Sequence, residues 1–155
     1  MIADVAVRLA TVADAADIAH MSRDYIEQGL PWRWTVERVT RTIRDPNTNV
    51  VVVGTQGAIA AFGIMFYAEE DAHLLLLAVR GARRRSGIGS AVLFWLETAA
   101  RAAGARRIRV ETRKDNAAAR SFYNEHGYHE RVIKTAMYSG MADGICLEKW
   151  LGRDT

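Results

Sequence analysis

The chain is poor in cysteine and in proline. A single cysteine, Cys146, among 155 residues excludes a disulfide framework and any cysteine-rich metal site. It fits a reducing compartment, where a lone thiol reads as a small buried hydrophobe. The two prolines, Pro31 and Pro46, and the lack of repeats, Pro/Ser-rich stretches or low-complexity segments leave no place for a linker. Residues 1–155 therefore read as one domain, within the usual ~100–200 residues per domain. No long hydrophobic run is present either. No charge occurs between Pro46 and Ala68, but Gly54-Thr55-Gln56-Gly57 divides that stretch and Asn47 and Asn49 stand at its start. A membrane span needs about 20 continuous apolar residues, so two strands and a tight turn explain it better. The N-terminus carries Asp4 and Arg8 and no apolar core, which predicts no signal peptide and a cytoplasmic location.

What is present is ordinary for a globular protein, with 50% apolar and 25% charged residues. The net charge of +3 hides an asymmetry. Between Arg80 and Lys114 there are ten basic residues and two acidic ones, a local balance of +8, so the remaining 120 residues sum to −5. A basic sector in a mildly acidic chain points to an anionic ligand, either nucleic acid or a polyphosphate cofactor.

Periodicity predicts mixed α/β structure. Val5–Leu9 alternates as a strand, and Thr11–Asp14 reads as a capping box before a helix carrying Ile18, Met21 and Tyr25. Gly29-Leu30-Pro31 ends that helix. Thr35 is the expected N-cap of a second helix with Val36, Val39 and Ile43 inward, stopped at Asp45-Pro46. Val50–Val53 and Ala58–Tyr67 form the hairpin, and Glu69-Glu70-Asp71 a solvated turn. His73–Val79 is a nearly unbroken apolar run, as expected of a strand covered on both faces. After the basic loop Arg80–Ser86, Gly87–Ala103 reads as a helix with Ile88, Val92, Trp95 and Ala99 on one face. Strand Arg106–Thr112, helix Asn116–His126 and strands Tyr128–Ile133 and Ile145–Trp150 follow. The unit from His73 to Thr112 predicts a crossover between two parallel strands.

The strongest chemical signal is Arg84-Arg85-Ser86-Gly87-Ile88-Gly89 between a strand and a helix start. The first N–H groups of a helix lack internal partners and its dipole is positive there. Glycines 87 and 89 remove side chains that would hold an anion away from the backbone. The Gly-Lys-Ser/Thr ending of a Walker loop is absent, and Val92 stands where a dinucleotide fingerprint would need a third glycine.

Leu77-Ala78-Val79, the basic loop and Arg-x-x-Gly-x-Gly closely resemble the acetyl-CoA signature of the GCN5-related N-acetyltransferase (GNAT) family. Glu111 to Tyr123 and Gly127-Tyr128 resemble that family's second half: a strand, then Asn, small residues, an aromatic-Tyr pair and Gly-aromatic. Among its members, the spacing is most similar to that of ribosomal-protein N-terminal alanine acetyltransferases. One departure is Gly81, where the family often has proline. The resemblance implies a mixed, mostly antiparallel sheet with helices on both faces and a V-shaped cofactor cleft. It implies that acetyl-CoA, as co-substrate, lies against the backbone of Leu77 and Val79. Its pyrophosphate would be cradled by Arg84, Arg85, Ser86, Gly87, Ile88, Gly89 and Ser90. Asn116 would bond the cofactor arm or hold the local backbone.

The implied reaction is attack of an amine on a thioester, which requires a proton to leave the amine and benefits from one delivered to the departing thiolate. Tyr123, about two helical turns after Asn116, is the candidate acid; an aromatic core residue is its bland reading. Glu111 is the candidate base. It shares a strand face with Arg107 and Arg109, opposite Ile108, Val110 and Thr112, and it matches the glutamate that serves as base in the alanine acetyltransferases. A surface carboxylate paired with Arg109 or Arg113 is the competing reading. Glu69, Glu70 and His73 are weaker candidates. Trp32 and Trp34 are expected either to line an acceptor pocket or to pack their loop onto the fold. His126 and His129 make a poor metal pair because Gly127 interrupts the helix, and no metal is expected.

These features predict an acetyl-CoA-dependent N-acetyltransferase acting by direct transfer in a ternary complex. A peptide α-amine is slightly favoured as acceptor over a small-molecule amine such as an amino acid, polyamine or antibiotic. Acting as monomer or homodimer, it should bind no specific nucleic acid and no membrane. A nucleic-acid module or a non-catalytic acetyl-CoA sensor are the readings from other classes.

Overall fold

The computed structural model describes residues 5–81, 87–135, 140 and 142–152. A seven-stranded sheet runs through them in the order β1-β2-β3-β4-β5-β7-β6. β1 (Val7–Leu9), β2 (Thr48–Thr55), β3 (Ala58–Ala68) and β4 (Asp71–Val79) pair antiparallel in succession. β5 (Arg107–Arg113) joins β4 in parallel, and β7 (Gly144–Trp150) lies antiparallel between β5 and β6 (His129–Lys134).

α1 (Ala15–Met21) follows a short turn in which the Asp14 carboxylate accepts from the Thr11 N–H at 2.8 Å and from the Arg8 guanidinium. It runs into a π-type turn, Ser22–Ile26. α2 (Val36–Arg44) is capped as expected, with the Thr35 hydroxyl accepting from the Arg38 N–H. These two helices cover one face of the sheet with Ile18, Ala19, Met21 and Val39 against Val50, Val52, Phe62, Ile64, Leu76 and Ala78.

α3 (Ile88–Ala102) covers the other face, with α4 (Ala117–Glu125) beyond it. The buried stripe of α3 is Ile88, Val92, Leu96 and Ala100, flanked by Ala91 and Leu93; Trp95 and Ala99, expected on that face, are half-buried at its margin. The helix comes close enough to β3 that a Cβ on Gly63 would meet Val92 and Leu96 at 2.8 Å.

β4 departs from a simple strand. Ile64 pairs with Leu76 but Met65 pairs with Leu74, so Leu75 is an extra residue in a bulge. A bulge flips the alternation of the strand. Leu74 faces the α3 side while Leu76 faces the α1–α2 side. The expectation that the whole run is covered on both faces is corrected here, because Leu75 is 38% exposed.

Candidate active site

The pairing of β4 with β5 covers Asp71–Leu74 and Arg107–Val110 and stops there, one residue before the bulge. Beyond it the two strands splay. The resulting cleft of about 940 Å³ is lined by Leu75–Val79 on one wall and Val110–Arg113 on the other. The start of α3, with Gly87, Gly89 and Ser90, and the inner side of α4, with Asn116, Phe122, Tyr123 and His126, close its base. Tyr25, Ile26 and Gln28 form the opposite rim.

At the base, Gly87 caps α3 with φ +83°, a left-handed conformation that favours glycine. A Cβ on Gly89 would meet the Phe122 ring and Val79 Cγ2 at 3.4 Å. The small residues thus let the backbone of the first turn reach the cleft, which is what an anionic ligand at a helix start needs. Arg84, Arg85 and Ser86 lie outside the described residues. Two cations of the basic sector serve other ends. Arg106 pairs with Glu70, and Arg107 pairs with Asp71 at 2.8 Å and Glu148 at 3.2 Å, at the far end of β5 from the cleft.

A splayed pair of parallel strands over a glycine-lined helix start is the arrangement that the signature implied. A model of the Acetyltransferase (GNAT) family matches residues 16–128. The chain belongs to the GNAT acetyltransferase family. No curated relative matches the sequence. Among solved structures, the ribosomal-protein-S18-alanine N-acetyltransferase from Escherichia coli superposes with a TM-score of 0.80 at 22% identity, over 97% of this chain and 96% of that one. The ribosomal-protein-alanine N-acetyltransferase from Brucella melitensis gives 0.80 at 20% identity, over 95% and 100%. The PaiA N-acetyltransferase from Thermoplasma acidophilum in complex with coenzyme A gives 0.77 at 17%, over 96% and 99%. The GNAT family uses acetyl-CoA, and the cleft fits it: an open strand edge for an extended arm and a side-chain-free helix start for phosphates.

The two candidate proton-transfer residues reach this cleft from opposite faces of the sheet. Tyr123 belongs to the core beside Val110, with its ring edge-on to Phe122 at 5.3 Å and to Tyr128 at 5.5 Å. It is an aromatic core residue, 6% exposed, and it also lines the cleft. Glu111 lies on the other face of β5, as the alternation predicted. Its partner is neither Arg109 nor Arg113 but Lys134 of β6, at 3.3 Å. Cys146 stands opposite Glu111 on β7, and burial first, then the Glu111 charge, pushes its thiol up. His73 lies near Arg109 on the same face, and burial and then that cation hold its imidazole below the ordinary value.

Asn116 caps α4, its Oδ1 accepting from the Ala119 N–H at 3.0 Å. Of its two expected roles, holding the backbone is the one visible. Trp32 and Trp34 are not among the residues that line this cleft, and of their two expected roles packing is the one visible. Trp32 lies under Arg23 at 5.4 Å and beside His20, and Trp34 under Arg38 at 3.8 Å, where it packs on the α1–α2 cluster. The rim is instead set by the buried Glu27, whose carboxylate accepts from Ser22 Oγ and from the Arg33 and Trp34 N–H groups. From across the splay the Arg113 guanidinium donates to the Gln28 carbonyl. Gln28 has no sequence signal because a loop's reach carries no period, whereas Tyr25 sits on the helical spacing already read and Arg113 shares its parity with Glu111 on β5. His126 also lines the cleft. Among the described residues no three His, Cys, Asp or Glu side chains gather as metal ligands, and no helix is long and apolar enough to cross a membrane.

Proposed function

We propose that this GNAT enzyme transfers the acetyl group of acetyl-CoA to a primary amine by direct attack in a ternary complex, with a peptide N-terminal α-amine as the favoured acceptor. The observation that carries this is the splay. It brings the open edge of β4, the start of α3, Tyr123 and Glu111 around one cleft, with the two proton-transfer groups on opposite faces of the sheet. Acetyl-CoA supplies the thioester and its acetyl carbon. Leu77 and Val79 bind the extended arm by backbone, and Gly87, Ile88, Gly89 and Ser90 offer first-turn amides to the phosphates, beside Arg84, Arg85 and Ser86 in sequence. Glu111, directly or through water, accepts a proton from the amine, whose nitrogen then bonds the acetyl carbon as the carbon–sulfur bond breaks. Tyr123 delivers its hydroxyl proton to the departing sulfur. The raised Cys146 thiol supports direct transfer, since a protonated thiol is a poor nucleophile.

The peptide acceptor is supported by Glu111 standing five residues before Asn116 and by the likeness to the two alanine N-acetyltransferases. The test is coenzyme A release with a panel of alanine-ended peptides, amino acids, polyamines and aminoglycosides. Turnover on peptides alone is expected. Turnover on small amines alone overturns the acceptor, and acetyl-CoA binding without any turnover overturns the enzyme. Glu111→Gln should be most defective at neutral pH, where an amine of pKa roughly 8–10 arrives as ammonium. That defect should shrink as pH rises; a constant defect assigns Glu111 to positioning.

A further inference from the structure

Ser90 and His126 take no part in the proton transfers above, yet both line the cleft. Ser90 is the third residue of α3, and His126 caps the end of α4. Ser90 Oγ lies 2.8 Å from His126 Nε2, and His126 Nδ1 lies 2.7 Å from the Phe122 carbonyl oxygen. A carbonyl oxygen only accepts, so Nδ1 carries a hydrogen and Nε2 of the neutral ring is a bare acceptor. The single hydroxyl hydrogen of Ser90 is therefore directed at His126 and away from any ligand. The ring is fixed in this pose by Phe122, whose centroid is 4.3 Å away.

We infer that Ser90 and His126 form a proton-linked contact to the anionic pyrophosphate of the cofactor. This rests on the reading that acetyl-CoA places its phosphates at the start of α3. With a neutral ring, Ser90 turns only lone pairs toward an anion. When Nε2 takes up a proton from solvent, the bond between the two side chains reverses. Nε2–H then donates to Ser90 Oγ, and the hydroxyl hydrogen is released to donate to a phosphate oxygen. A bound anion favours the charged imidazole, so by linkage the protonated enzyme binds the anion more tightly.

Charged and titratable groups stand on the described elements next to His126. Glu125 precedes it on α4, and His129 follows on β6. Lys149 of β7 approaches Gly127, its Cε 3.5 Å from where a Cβ would stand, and is held by Glu97 of α3 at 3.2 Å. The incoming anion adds negative charge beside the ring, and Glu97 offsets Lys149.

The experiment is calorimetric titration of the full chain with acetyl-CoA lacking the 3′-phosphate, whose pyrophosphate stays ionised across the range from about pH 5.5 to 8.5 in which imidazoles titrate. Wild-type affinity should fall about tenfold as pH rises, which corresponds to a one-unit rise in the His126 pKa on binding. His126→Gln and Ser90→Ala should each flatten that slope to about twofold or less. In the wild type, the His126 ring-proton NMR titration should move up by about one unit on adding the same ligand. A flat wild-type profile, a slope that survives both substitutions, or a ring titration that the ligand leaves unmoved overturns the inference while binding itself leaves the cofactor reading standing. Absence of binding at every pH overturns both.

Discussion

The two halves of the sheet differ in how they are covered. β2 and β3 are sandwiched between α1–α2 and α3, and Val50–Val53 and Ile59–Met65 are buried on both faces. Across the splay, β5 is covered on one face only, with Ile108, Val110 and Thr112 buried and Arg107, Arg109 and Glu111 on the open side, while β6 is exposed along nearly its whole length. Buried packing is concentrated in the first half, and the open face lies in the second. A strand covered on both faces has no room for a titratable group, whereas one open face lets a carboxylate stand beside a cleft without the cost of burial.

The largest expected contrast is in stability. Phe62→Ala, in the sandwiched half, should cost about 3–5 kcal/mol in denaturant unfolding, and Val132→Ala on β6 about 0.5 kcal/mol or less. Equal losses would erase the distinction between the halves. Next, Tyr123→Phe should lower turnover by about 10–10³-fold with stability and acetyl-CoA affinity nearly kept, because a water partly replaces the proton donor. Full turnover in single-turnover kinetics would move the acid elsewhere.

Two ion pairs sharpen the comparison at smaller scale. Hydrogen bonding from Arg8 first, and from the Thr11 N–H, holds the fully buried Asp14 carboxyl below the ordinary carboxylate range. A depressed carboxylate stabilises above its unfolded value of about 3.9 and loses that contribution as pH falls through the folded value. Asp14→Asn should therefore cost about 1–2 kcal/mol at neutral pH, with the difference from wild type closing well below pH ~4. Lys134→Gln, which breaks the exposed pair with Glu111, should cost about 0.5 kcal/mol or less at any pH. Finally, Arg113→Gln cuts the tie to Gln28 across the splay. The acceptor KM should rise several-fold, about 1 kcal/mol, while acetyl-CoA affinity stays; a change in cofactor affinity alone would place Arg113 on the other side of the reaction.

Most elements were legible because their periods are local. The 3.6 spacing of Ile88 and Val92 and the alternation of Ile108, Val110 and Thr112 survive folding, and the latter put Glu111 on the correct face. The bulge at Leu75 was hidden by its own sequence. In a run of four leucines, Leu74–Leu77, slipping one residue changes no side chain, so no pattern marks the break that opens the cleft. Trp32 and Trp34 were open to two readings because an aromatic pair in a loop fits a pocket as well as it fits the arginines Arg23 and Arg38 that cover them. The pairing of His126 with Ser90 has no sequence signal, because the two lie 36 residues apart, beyond any spacing argument.

Glu27 fixes both ends of the α1–α2 connection with one carboxylate, tied back to Ser22 and forward to Arg33 and Trp34. What lies between, Gln28 to Trp32, is a loop closed at its root, with Trp32 resting on His20 and Arg23. The segment is in effect a cassette. Tips of different shape could be grafted between the same anchors, provided that a library leaves Glu27 and its partner Ser22 alone.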